Sequence, residues 1–131
     1  MELSRHTIEL ARGPNYGFVA TILPSGAIQN HPIWVDTDGE HILLNTEIHR
    51  RKAKNVEADP RITVTIVHRD DPWNWSEVRG EVIRIVRGQD ARDHIDAMAS
   101  KYLGKDEYPN PIQTERVILE VAPRRVVERG S

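Results

Sequence analysis

Apolar, β-forming runs follow one another through the chain with turns too short to hold a crossover helix. GFVATIL (Gly17–Leu23) is separated from AIQNHPIWV (Ala27–Val35) only by Pro24-Ser25-Gly26. Asp36-Thr37-Asp38-Gly39 then leads into EHILLNT (Glu40–Thr46). Parallel neighbours need a connection of about a dozen residues or more, so these runs are expected to pair as antiparallel hairpins. Arg61–His68 alternates Ile62, Val64, Ile66 against Thr63, Thr65, Val67, as a strand does. HRDDPWNW (His68–Trp75) is read as a loop. Glu77–Val86 follows as a long strand, with Gly80 as a bulge or close-approach point and a kink where the apolar phase shifts from Val78/Val82 to Ile83/Ile85. Glu115–Val121 is the last strand. Pro32, which cannot donate to a ladder, places its strand at an edge or bulge.

Three helices complete the pattern. Leu3–Arg12 starts at a Ser4 cap and stops at Gly13-Pro14. Arg50–Ala58 is ended by Asp59-Pro60, and Asp90–Leu103 carries Ala91, Ile95, Met98, Ala99, Tyr102 and Leu103 on one stripe before Gly104. The expected fold is mainly β (α+β): a six-stranded antiparallel barrel with flanking helices, one domain over residues 1–131. Some strands are apolar on both faces, which calls for cover by helices or a second subunit.

Composition narrows the function. A chain of 131 residues with 29% charged side chains is a globular domain, and a net charge of −2 gives no global field for nucleic acid. Without cysteine there is no disulfide, thiolate metal site or thiol nucleophile. No window has the length and apolarity of a membrane span, and the first residues mix acids with bases, so a cytoplasmic protein is expected. The sequon Asn74-Trp75-Ser76 is read as chance. The six histidines form no zinc-protease pair, and neither a dinucleotide fingerprint nor a P-loop is present.

The charge that matters is local. Asn45–Arg61 reads NTEIHRRKAKNVEADPR, a strand end running into a helix whose start is crowded with His49, Arg50, Arg51 and Lys52, while Glu57 and Asp59 sit at its far end. This helix is charged against its own dipole. A phosphate held by the first-turn N–H groups, Arg50 and Lys52 would relieve the crowding; an ordinary solvated basic face is the competing explanation.

These residues also carry a resemblance. GFVATILPSGAIQNHPIWV, HILLNTEIHRRKAKNVEADPRITVTI and WSEVRGEVIRI together resemble the pyridoxamine-phosphate-oxidase-like split-barrel flavoproteins, and within them the deazaflavin (coenzyme F420)-dependent reductases. The sharpest elements are Asn45-Thr46, Arg50-Arg51-Lys52, Asn55, Asp59-Pro60-Arg61 and Glu77–Gly80. The resemblance implies a split barrel, a homodimer and two cofactors in grooves at its interface. It assigns the phosphate to Arg50 and Lys52 with Arg51 as a helper, and the ribityl chain or ring to Asn45 and Thr46. Pro32, Ile33 and Trp34 would line the ring, Pro32 interrupting the ladder there. Trp73 would approach from a loop of the partner subunit.

The implied reaction is hydride transfer from reduced coenzyme F420 to an electron-poor double bond of a small organic substrate. No catalytic residue is assigned; His31 and His49 lie near the groove as possible proton donors but read as ordinary polar residues. His49 stands where many relatives carry glycine, which bears on cofactor preference. Three alternatives stand beside this reading: an FMN-binding oxidase or electron carrier, a barrel that only binds cofactor, and an RNA-binding barrel, the last disfavoured by few strand aromatics and negative net charge.

Overall fold

The computed structural model describes residues 1–130. Ser4 caps α1 (Arg5–Arg12), its hydroxyl accepting from the Thr7 N–H at 3.0 Å. The strands are β1 (Tyr16–Ile22), β2 (Ile28–Ile33), β3 (Val35–Thr37), β4 (Ile42–Glu47), β5 (Arg61–His68), β6 (Asp71–Val86) and β7 (Arg116–Arg129). α2 (Arg51–Ala58) follows β4, and α3 (Gln89–Leu103) follows β6. They form one antiparallel sheet in the order β2-β1-β5-β6-β7-β4-β3, curled into an open half-barrel. The core runs through it on Val19, Val35, Leu44, Ile66, Val78 and Leu119, all at most 2% exposed. No helix among the described residues is long and apolar enough to cross a membrane.

Seven strands replace the expected six, because the run Ala27–Val35 does not stay in one ladder. β2 ends at Ile33, Trp34 lies outside either strand, and β3 resumes at Val35 beside β4. The two edge strands of the sheet are therefore separated by one residue. Pro32 is not the interruption: it sits in register opposite Phe18 on the edge strand β2, where one side of the ladder is open and a missing donor costs little.

The loop expected over His68–Trp75 is also absent. Arg69 and Asp70 form a turn, and β6 begins at Asp71, so Trp73 belongs to a strand. β7 runs on to Arg129, well beyond the expected Val121, and pairs with β6 from Trp75 to Val86. Two bulges bend this long pair. Arg124 is the extra residue where Arg79 and Gly80 oppose Arg125 and Pro123, and Ile83 is the extra residue between Val82 and Arg84. The second accounts for the apolar phase shift in the sequence.

At the first bulge the backbones come too close for a side chain. A Cβ on Gly80 would lie 2.2 Å from the Ala122 carbonyl oxygen and 3.1 Å from Val121 Cγ1. Gly80→Ala is expected to cost about 2–3 kcal/mol of folding stability through forced backbone movement. Urea denaturation checks this, and an unchanged midpoint would show that the bulge relaxes freely.

Candidate functional site

The break at Trp34 opens a groove of about 550 Å³, within the usual range for small-molecule sites. One wall is Tyr16, Gly17 and Phe18 of β1 with Pro32 and Ile33 of β2; the opposite wall is Asn45 and Thr46 of β4. Gly17 lets the strands meet there, since a Cβ would lie 2.0 Å from Val35 Cγ2 and 2.5 Å from the Ile33 carbonyl oxygen. α3 closes the rear. Tyr102 stacks on Trp34 at 5.2 Å between ring centroids and 5° between planes, and Tyr108 meets Trp34 edge-on at 6.2 Å.

Backbone groups freed where the ladder breaks are taken up by α3. The Tyr102 hydroxyl accepts from the Val35 N–H at 3.1 Å and donates to the Asn15 carbonyl at 2.8 Å. Lys101 Nζ donates to the carbonyl oxygens of Val35 and, at 2.9 Å, Ala11, with Asp36 Oδ1 at 3.9 Å. Burial raises the Tyr102 phenol and lowers the Lys101 ammonium, Asp36 opposing the latter.

The charge lining the groove has one sign. Arg50, Lys52, Arg69 and Arg116 face it, and among the described residues no Asp, Glu or His does. Arg50 is the N-cap residue of α2, with no side-chain cap and no acid in the first turn, so the dipole's positive end points the same way. Among the described residues neither Arg50 nor Lys52 pairs with a carboxylate. Burial pushes the Lys52 ammonium below its ordinary range, and the Arg50 and Arg116 charges push it the same way. Burial also lowers Arg116, which lies over the Tyr108 ring at 5.1 Å and has its nearest carboxylate, Glu47, at 3.9 Å.

Of the residues singled out in the sequence, Pro32, Ile33, Trp34, Asn45, Thr46, Arg50 and Lys52 converge on this groove. Arg51 does not: its Nε donates to the Oδ1 of the buried Asn55, one turn further along α2, at 2.9 Å. Trp73 is 68% exposed and lies under the Arg129 guanidinium at 5.6 Å, away from the groove of its own chain. His31 and His49 are not in the lining, and His49 Nδ1 bonds Thr114 Oγ1 at 2.7 Å. The sequence reading missed Arg116, Tyr102 and Tyr108. The one available signal was a lone arginine opening an apolar strand, and its meaning depends on the pairing of Arg116 with Glu47, which is non-local.

Behind the groove, burial raises the Asp36 carboxyl, but bonds from the His94 ring and the Thr37 backbone, together with Lys101, outweigh it and leave it lowered. A carboxylate lowered on folding contributes stability that is complete above its unfolded value, about 3.9, and lost as pH falls through the folded value. Asp36→Asn is therefore expected to destabilise the protein at pH 6, and the gap to wild type to narrow at pH 3. Urea unfolding of both proteins at the two pH values checks the sign; a gap that widens in acid would contradict it.

Fold and lining together define a class: an antiparallel split barrel whose groove joins an anion-attracting end to an aromatic wall. The chain belongs to the pyridoxamine 5'-phosphate oxidase family, whose pattern it matches over residues 4–130. No curated protein matches it. Among solved structures it is similar to an F420 reductase at 28% identity, with 95% of this chain and 98% of that one covered and a TM-score of 0.82. It is also similar to a conserved hypothetical protein from Mycobacterium tuberculosis, at 23% identity, 95% and 82% coverage and a TM-score of 0.67. A pyridoxamine 5'-phosphate oxidase-related, FMN-binding protein from Nostoc punctiforme shares the fold at 17% identity, 96% and 84% coverage and a TM-score of 0.63.

Proposed function

We propose that this protein is an oxidoreductase that binds the deazaflavin coenzyme F420 in the groove and transfers a hydride to an electron-poor double bond of a small organic substrate. The observation that carries this reading is the convergence of Arg50, Lys52 and Arg116, without an acid in the lining, on the end of a groove with a stacked aromatic wall. Such a donor set fits a phosphorylated ring compound: guanidinium and ammonium hold the phosphate, and the apolar wall takes the ring. The likeness to an F420 reductase supports the deazaflavin over FMN.

When bound, the deazaflavin supplies the hydride. The chain's part is placement. Arg50, Lys52 and Arg116 fix the charged end, while Pro32, Ile33 and Trp34 on one side and Asn45 and Thr46 on the other confine the ring. Among the described residues, the lining contributed by one chain holds no carboxylate or imidazole to act on the reacting atoms. The Tyr102 hydroxyl is committed to the Val35 and Asn15 backbone and is not a free acid.

The dimer belongs to this proposal. Tyr16 is 58% exposed, Phe18 38% and Trp73 68%, and the first two stand at the groove itself. A second copy seated on this strip would bury them and close the open side, with its own Trp73 near the groove.

Titrating the protein with coenzyme F420 and with FMN, and following tryptophan quenching, tests the cofactor. Saturable quenching by F420 with little by FMN is expected; the reverse would make this an FMN protein. Lys52→Ala, Arg50→Ala and Arg116→Ala are each expected to weaken F420 binding about tenfold or more, given the strength of charge-assisted bonds, without loss of fold. Unchanged affinity in all three would sink the phosphate assignment. Light scattering should give a dimeric mass, and a monomer that still binds cofactor would remove the interface from the site.

A further inference from the structure

Arg116 is the most deeply buried of the groove's cations, with a side chain 7% exposed, and something must hold its fork toward the cavity. The contacts behind it form a directed chain. Arg116 Nε donates to Asn45 Oδ1 at 2.8 Å. Because an arginine nitrogen can only donate, this bond fixes which end of the Asn45 amide is oxygen. Asn45 Nδ2 then points the other way, to the Ala91 carbonyl at 2.9 Å and to His94 Nδ1 at 3.0 Å. His94 Nδ1 must accept, so the ring proton sits on Nε2, which donates to Asp36 Oδ2 at 3.0 Å. Every bond in the series has one permitted direction, and the series runs from the groove to the carboxylate that Lys101 faces at 3.9 Å.

We infer that His94 is a positioning residue of the anion site: as the Nε2–H tautomer it locks the Asn45 amide, and through it the Arg116 guanidinium, in the orientation that receives a negative group. This rests on the anion-binding reading of the groove. His94 is outside the lining and touches no ligand; it acts through Asn45. Without His94 one of the two Nδ2 hydrogens of Asn45 loses its acceptor and only the Ala91 carbonyl holds that side. The amide is then less firmly kept from the turned orientation that would oppose Nδ2 to Arg116 Nε, donor against donor.

The tautomer is measured on the free protein by ¹⁵N–¹H NMR of labelled histidine. An Nε2–H, Nδ1-accepting ring at neutral pH is expected, and an Nδ1–H ring would overturn the inference. In His94→Leu the Arg116 Nε–H should exchange faster with solvent than in wild type, and F420 affinity should drop about tenfold, as for one lost bond to a charged group. Unchanged exchange and affinity in the folded variant would also overturn it. His94→Gln, whose amide can donate to Asp36 and accept from Asn45, should restore affinity to within about twofold of wild type. A folded Gln variant as weak as Leu would count against the relay, and the Gln variant and the wild-type tautomer decide the matter should the Leu variant not fold. If wild type binds neither F420 nor FMN, the cofactor reading fails, while the tautomer and the Arg116 exchange rates still decide on the relay.

Discussion

The interruption of one ladder at Trp34, and its repair by α3, is the constraint on which the rest of this structure depends. A strand cannot leave a sheet without stranding backbone donors and acceptors, and buried ones left unpaired are costly. Here Tyr102 takes the Val35 N–H and Lys101 takes the Val35 carbonyl, so the chain can pass from the edge beside β1 to the edge beside β4 within one residue. The gap this opens is the groove. The side chains that make the break tolerable also form the rear of the site, Tyr102 as a stacking partner of Trp34 and Lys101 as a neighbour of Asp36. Fold and site are thus one arrangement, and α3 is as much a part of the site as the basic start of α2.

Electrostatics follow the same logic at short range. A chain with a formal charge of −2 keeps every acid out of the lining of its main cavity and gathers four cations there. Glu47, the acid nearest Arg116, accepts through Oε1 from the Gln113 and Thr114 N–H groups, each at 2.8 Å, and so holds the segment leading into β7 while its Oε2 lies 3.9 Å from the guanidinium. Asp59, at the unfavourable end of α2, pairs with Arg61 at 2.7 Å. Net charge was uninformative because the field that counts is set by which few groups share one desolvated space.

Features carried by adjacent residues were legible in the sequence. The alternation in Arg61–His68, the Ser4 cap, the Gly104 stop and the reversed charge of the helix after Asn45 all have local causes, and each took the expected form. The convergence of Pro32–Trp34 with Asn45–Thr46 and Arg50/Lys52 was reached through the resemblance, since no local rule brings those segments together. The misses share one physical origin. Asp71–Trp75 looks like a loop because its polar residues and Pro72 weaken strand propensity. Its ends are paired, however, Asp71 with His68 of β5 and Trp75 with Val67 of β5 and Arg129 of β7, and that pairing overrides propensity. The split at Trp34 and the role of Arg116 depend on contacts with α3 and β4, at distances along the chain that pattern reading does not span.

The crowded cations of the groove also weigh on the stability of the fold. Burial and the Arg50 and Arg116 charges lower the Lys52 ammonium, and burial with the Arg50 charge lowers Arg116 against the pull of Tyr108 and Glu47, so the folded protein holds Lys52 at a cost. Replacing Lys52 by an apolar residue of similar length would relieve both desolvation and repulsion, so selection for stability alone would discard it. A bound anion would turn this repulsion into attraction, so the cost that Lys52 imposes on the fold is one that an occupied groove would offset.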